Sequence, residues 1–297
     1  RRHANAAGAP AGYEAQATYA IGEASKLVDG NASFADGAYS ITGEARTFDA
    51  YDAALAATRQ LPQGLTLAKA EILPPAARPY AWGATRNANG VTLTGYAPSE
   101  AARTAIAQRA GAAFPGVQIT NCMQIARGAP QGDFAGFANF GVDELARLSS
   151  GSASLSDNAF TVTGVAPTVA AYDAAVAATR QLPQGMTLAR ADITPAEVKP
   201  YTWGATREGN NVTLTGYAPS DAVRTSIAQR AATVFPGAQV TNRMQIARGA
   251  PTNDFSAATS YGLTELGKLT NGSVALNDSA YSITGSAPSV PVYEAAL

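Results

Sequence analysis

Apolar and polar residues alternate along Val91-Thr92-Leu93-Thr94-Gly95, which is the period of a half-buried strand. A second strand is predicted over 80–86, and the Asn89-Gly90 pair between the two is a strong hairpin signal. After Pro98, Ser99 can cap a helix running from Glu100 to about Ala113, and Phe114-Pro115-Gly116 stops it. Alternation then resumes over 117–125 as one further strand. Residues 80–126 therefore predict strand, strand, helix, strand, and a right-handed crossover makes the two strands around the helix parallel.

The segment 133–194 predicts a helix first, over 134–148, with Phe137, Phe140, Val142, Leu145 and Leu148 largely along one face. Short strands over 152–155 and 159–164 flank Ser156-Asp157-Asn158. Thr168 caps the next helix, whose Val169, Tyr172 and Val176 have the spacing of a buried stripe. Leu182-Pro183-Gln184-Gly185 ends it, and a strand over 186–193 follows.

Both segments recur. Tyr80-Ala81-Trp82-Gly83-Ala84-Thr85-Arg86 returns 121 positions later as Tyr201-Thr202-Trp203-Gly204-Ala205-Thr206-Arg207. Leu61-Pro62-Gln63-Gly64 returns as Leu182-Pro183-Gln184-Gly185, and Tyr51, Tyr172 and Tyr293 mark three copies. A Thr-Gly pair closes a strand in each module, placing turn glycines at Gly43, Gly95, Gly164, Gly216 and Gly285 with spacings that alternate 52 and 69. Short and long modules thus alternate with a 121-residue period.

A unit of about 50 to 60 residues with an Ala-rich helix has a thin core and is marginal alone. Short and long modules are therefore expected to pair: 79–126 with 133–194, and 200–247 with a truncated 254–297, while the long module in 1–75 lacks a preceding short one. The expected fold class is α+β: tandem repeats of small three-stranded mixed sheets with helices on one face, and paired bodies of about six strands. Proline-rich joints at 73–79 and 194–200 predict semi-rigid connections.

Composition narrows the function classes. The 297 residues are 46% hydrophobic and carry a net charge of −1, without the cationic surplus of a nucleic-acid binder. A single Cys excludes an internal disulfide framework, and no run of about 18 apolar residues suggests a spanning helix. The chain opens Arg1-Arg2-His3 without Met or an apolar export segment and stops inside a predicted helix, so it is expected to belong to a longer protein with its targeting and anchoring segments elsewhere.

The strand Val91-Thr92-Leu93-Thr94-Gly95, the capped helix, Phe114-Pro115-Gly116 and the final strand resemble the BON domain (bacterial OsmY and nodulation). The alternating array, with its Tyr-Xaa-Trp-Gly-Ala-Thr-Arg openings and Ala-Arg-Gly-Ala-Pro joints, is similar to the repeat region of large OmpA-family cell-envelope proteins of Gram-negative bacteria. That resemblance implies a periplasmic or envelope location, associated with outer membrane, peptidoglycan or cell surface. It implies contact with other envelope proteins, copies of the chain itself or phospholipid surfaces, and no catalytic residues.

The residue inventory agrees with a non-enzyme that needs no cofactor or metal. His3 is alone and Cys122 is replaced by Arg243 in the next repeat, so neither a His-based triad nor a thiol nucleophile is expected. Among 28 glycines there is no phosphate-cradling Gly-Xaa4-Gly-Lys-Ser/Thr and no Gly-Xaa-Ser-Xaa-Gly elbow. Asp52, Asp173 and Glu294 recur singly beside Tyr, without the second group that acid/base chemistry needs.

Contact residues are better candidates. Trp82 and Trp203 either plug the module core or present rings to a partner, the core being favoured, and Tyr80 and Tyr201 are candidate contact residues beside them. Arg86 and Arg207 end that strand, and Arg103, Arg109, Arg224 and Arg230 form rows that are either solvated or paired with a neighbouring subunit. Arg127 and Arg248 stand in the joints, placed to bind carbonyls between modules. The leading reading is a scaffold whose repeats mediate protein contact or self-assembly. The alternative is a lipid or small-ligand module using crevices between paired modules, lined by Tyr80, Trp82, Arg86 and their counterparts.

Overall fold

Helix starts follow the capping residues. Ser99 and Thr168 accept from the backbone N–H groups of Ala102 (3.2 Å) and Ala171 (3.1 Å), and Thr47 and Ser220 do the same for Ala50 and Val223. The computed structural model describes residues 11–251 and 254–291, so His3 and the expected helix end at 293–297 lie outside the described residues.

The first long module comprises α1 (Tyr13–Ser25), β1 (Leu27–Ala35), β2 (Ala38–Ala45), α2 (Phe48–Ala57) and β3 (Thr66–Leu73). A short module follows with β4 (Ala81–Asn87), β5 (Gly90–Ala97), α3 (Glu100–Ala113), β6 (Ile119–Asn121) and β7 (Gln124–Ile125). The second long module is α4 (Phe134–Ala146), β8 (Ser150–Ser156), β9 (Ala159–Val165), α5 (Val169–Thr179) and β10 (Thr187–Thr194). The pattern repeats with β11 (Thr202–Glu208), β12 (Asn211–Ala218), α6 (Asp221–Val234), β13 (Gln239–Asn242) and β14 (Gln245–Ile246). Then come α7 (Phe255–Gly267), β15 (Asn271–Asn277) and β16 (Ala280–Ser286).

The fold is α+β with mixed sheets. β1, β2 and β3 form a three-stranded sheet; a seven-stranded sheet runs β10-β9-β8-β4-β5-β6 with β7 also on β5; a six-stranded sheet runs β13-β12-β11-β15-β16 with β14 also on β12. Parallel pairs flank the helical crossovers, β2 with β3, β5 with β6 and β12 with β13, while the hairpins are antiparallel. Among the described residues, only the first long module keeps a three-stranded sheet to itself. Elsewhere the opening strand of a short module pairs with the first strand of the long module after it, so that a short and a long module share one sheet of seven or six strands.

The chain divides into two compact units, residues 1–143 with 152–161 and 183–189, and residues 144–151 with 162–182 and 190–297. In the first, Leu27, Tyr39, Ile41, Ala54 and Ile72 form one buried cluster, and Tyr80, Trp82, Leu93, Ile106, Val142 and Phe160 are buried as well. In the second, Trp203, Leu214, Ile227, Leu263, Leu266 and Val274 share a core.

Two expectations need correction. The strand expected over 117–125 is broken at Cys122-Met123, because the Asn121 side chain accepts from Met123 N–H (3.1 Å) and turns the backbone locally. Cys122 is therefore an exposed residue between strands instead of a strand residue, and Asn242 repeats the turn with Met244 N–H (3.0 Å). The stripe Val169, Tyr172, Val176 is only half-buried; Ala175 and Thr179 are the buried positions of α5. Its open side lines a cleft, described below.

Candidate functional site

The Tyr-Xaa-Trp strands lie inside, against the long modules. Trp82 and Trp203 are each 2% exposed and Tyr80 and Tyr201 fully buried, so the rings are not available to line a ligand crevice. Tyr80 OH donates to Ala126 O (3.1 Å) and its ring meets Phe134 of α4 edge to face at 4.9 Å. Tyr201 repeats this with Ala247 O (3.3 Å) and Phe255 of α7 (5.5 Å). Gly141 and Gly262 open room for the indoles: a Cβ there would stand 2.8 Å from the Trp82 ring and 3.3 Å from the Trp203 ring. Both indole N–H groups are buried without a hydrogen-bond partner.

Sequence reasoning passed over the residue that docks these strands. Asp157, at φ 52°, donates its N–H to Tyr80 O (2.8 Å) while its carboxylate accepts from Tyr80 N–H (2.9 Å). Asp278 makes the same pair with Tyr201, both at 2.8 Å. The available signal was the recurrence of Asp36, Asp157 and Asp278 at the repeat spacing. Buried Glu144 was missed as well; it pairs with Arg147 one helical turn on (3.0 Å), as Glu23 does with Lys26 and Glu265 with Lys268 (2.7 Å each).

The arginine rows are engaged within the chain. The Arg86 and Arg207 guanidiniums lie over Phe114 and Phe235, 5.2 and 5.3 Å from the ring centres, and Arg207 also donates to Leu269 O beyond the C-terminal end of α7 (2.6 Å). Arg109 forms a bidentate pair with Asp143 at 2.7 Å, Arg230 donates to Thr264 Oγ1 at 3.1 Å, and Arg103 and Arg224 pair with Glu100 and Asp221 on their own helices.

At the joints, Arg127 forms a one-residue parallel bridge with Ala76, its Nε donates to Pro74 O (2.8 Å), and its guanidinium pairs with Glu44. Arg248 bridges Glu197 and donates from Nε to Pro195 O (2.9 Å). Each proline-rich linker is thus fastened to the last strand segment of the short module after it. Beside the second joint, α5 and α6 enclose a cleft of about 230 Å³ lined by Tyr172, Val176, Arg180, Asp221, Arg224 and Ile246. Burial, then Asp173 and Asp221, raise the Tyr172 hydroxyl pKa against the pull of Arg224 and Arg180. Tyr51 is raised by the same causes, burial first and then Asp52 and Glu100.

The turn glycines stand where a side chain would collide. Gly43, Gly164 and Gly285 cross Gly30, Gly151 and Gly272 so closely that a Cβ would lie 3.0, 3.0 and 2.9 Å from the facing Cα. Gly95 and Gly216 adopt φ 84° and 83° opposite the tryptophans. Among the described residues no His, Cys, Asp and Glu are grouped as metal ligands, and no helix is long and apolar enough to cross a membrane.

Buried phenols set an alkaline limit. Desolvation, with smaller contributions from Tyr19 and Glu23, pushes the Tyr39 hydroxyl up to about 12, and burial alone raises Tyr80 and Tyr201 further in the same direction. Because the fold keeps these groups protonated while the unfolded chain releases their protons above about pH 10, stability is complete below pH 10 and falls from there toward pH 12. The urea midpoint is expected to be level between about pH 7 and 9 and to decline above about pH 10, in step with tyrosinate absorbance on unfolding.

No curated protein and no solved structure matches the chain. The family model for the BON-like domain matches twice, over residues 84–126 and 205–248. These spans begin within the first strand of the hairpin, just past Trp82 and Trp203, take in the rest of the hairpin, the capped helix and the interrupted last strand of each short module, and leave the long modules outside. The chain therefore carries two BON-like domains in tandem, each formed by a short module of the 121-residue repeat.

Proposed function

We propose that this chain is a non-enzymatic scaffold segment of the cell envelope, whose BON-like modules mediate contact with envelope proteins and with copies of itself. The observation that carries the reading is the repeated joint: Arg127 and Arg248 fasten equivalent linkers through equivalent backbone bridges and Nε donations. Residues retained from repeat to repeat are thus spent on connecting modules, the economy of a spacer or polymer unit. Periplasmic placement belongs to the same proposal and draws support from the BON-like match, while kinship with OmpA-family proteins is proposed from the alternating array of modules alone. The lipid or small-ligand alternative has lost its expected aromatic lining to the core.

The test is mass and form, by light scattering and electron microscopy of one sample. A regular assembly is expected, and Arg127→Ala with Arg248→Ala should disperse it or blur its regularity; a strictly monomeric chain overturns self-assembly. In the same variant the amides of Ala77 and Val198, which donate to Arg127 O and Arg248 O, are expected to exchange about fivefold faster, the loss of roughly 1 kcal/mol from a partly exposed hydrogen bond. Unchanged exchange would show that the guanidiniums do not secure the joints.

A further inference from the structure

The repeat shows which surface of the first module is incomplete. β8 lies between β9 and β4, and β15 between β16 and β11, but among the described residues β1 pairs with β2 alone and leaves its other edge open. The helix packed on that hairpin is equally uncovered. Ile21 is 70% exposed where its equivalents Val142 and Leu263 are fully buried, and Tyr13 is 48% exposed where Phe134 and Phe255 lie under Tyr80 and Tyr201. Along the strand, Ala32 and Phe34 are half-open, whereas Ala153, Leu155, Val274 and Leu276 at the same repeat positions are buried. Asp36 holds the left-handed turn of Asp157 and Asp278, at φ 49° against 52° and 50°, without the Tyr backbone that those residues bind.

We propose that the open edge of β1 and the adjoining face of α1 are the docking site for a further short BON-like module, whose Tyr-Xaa-Trp-Gly strand adds antiparallel to β1. This rests on the scaffold reading and names the partner of one of its surfaces. The occupant is identified by the two places in the molecule where the same surface is covered. In the β11–β15 pair, Trp203 stands opposite Leu276 and Ala205 opposite Val274, so the incoming Trp falls opposite Phe34 and the Ala two residues on opposite Ala32. Strand addition satisfies the open row of β1 backbone groups, and the Asp36 carboxylate and N–H receive the Tyr backbone. The chain's own short modules cannot serve, because β4 and β11 are already paired on both sides.

Two substitutions define the partner further. Ala20 replaces the Gly141 and Gly262 that make room for an indole, and Gly22 replaces Asp143 and Thr264, which bind Arg109 and Arg230. The occupant therefore seats its ring slightly farther from α1 and does not depend on the helix arginine.

The experiment adds the polypeptide of residues 200–247 to the intact chain and follows amide exchange. Saturable one-to-one binding is expected, with β1 amides slowed about tenfold or more. Ile21→Glu, at a surface position, is expected to weaken binding about tenfold by placing a charge in the contact, while Ala20→Gly strengthens it. Should the isolated polypeptide fail to fold, residues 79–132 duplicated ahead of Gly12 present the same module in one chain. The added Trp should then emit from a buried environment and resist iodide, as is expected of Trp82 and Trp203 from their burial. An iodide-quenched added Trp with unprotected β1 overturns the assignment. So does β1 protection that appears with chain concentration alone, which would make a second copy the occupant, or protection that vanishes when residues 1–10 are removed. Loss of this docking in a chain that still assembles refutes only the docking; docking in a monomeric chain refutes only self-assembly.

Discussion

Replacing Trp203 by Ala is expected to destabilise the second unit by about 3–5 kcal/mol, while Trp203→Phe costs much less than the lost volume implies. The ring is 2% exposed, is set between the six-stranded sheet and α7, and has Gly262 at its back, so nothing large stands ready to refill the space. Truncation to Ala therefore leaves a cavity as well as losing the transfer energy of an indole. Phe retains most of the aromatic contact and discards the indole N–H, which is buried without a partner and burdens the fold by about 1–3 kcal/mol. Urea unfolding of the two variants against the parent checks both parts. A Phe variant as weakened as the Ala variant would mean that the N–H is satisfied, and a mild Ala variant would mean that the ring is not a core plug. Trp82→Ala is expected to act alike in the first unit, where the Gly141 contact is tighter.

What could be read beforehand follows from how local each cause is. Ser99 and Thr168 cap helices through N–H groups three residues away, and the hairpin predicted from Asn89-Gly90 closes locally, over Ala88-Asn89 between the paired Asn87 and Gly90, so these elements were legible. The 121-residue period also disclosed that Trp82 and Arg127 mattered, because each has a copy. What they do depends on distant partners. Trp82 is received by Gly141, and Arg127 reaches back to Pro74, pairings that no periodicity announces. Asp157 read as an ordinary turn residue, since its link to Tyr80 spans 77 positions. The α5 stripe illustrates the same limit: spacing identified the face carrying Tyr172 and Val176, but whether that face meets a core or a cleft is decided by α6. The break at Cys122 was in principle local, and the missed signal was an Asn two residues before a buried Met in both copies.

Gly216→Ala is expected to rival Trp203→Ala, although it adds a single methyl group. At φ 83° an L-residue is strained by about 1–3 kcal/mol before any contact is considered. Contact then adds to it, because Gly216 is paired with Trp203 across the hairpin and a Cβ would stand 2.3 Å from Thr202 O and 2.8 Å from the Trp203 Cα. Those atoms belong to β11, the strand shared by the short-module hairpin and β15, so relief by backbone movement would disturb both pairings. The loss should therefore exceed the backbone term alone and extend to β15, seen as faster amide exchange on both sides of β11 and an earlier unfolding transition. Gly95→Ala provides the parallel case, with Ala81 O at 2.3 Å. Gly111→Ala is the contrast: it lies near the end of α3 with open space around it, and the same methyl group there should leave stability unchanged or raise it by up to about 1 kcal/mol through helix propensity. If the Gly216 and Gly111 variants unfold alike, the crossing of the Thr-Gly strand over the Trp strand is looser than described, and the Thr-Gly mark of the repeat loses its structural reason.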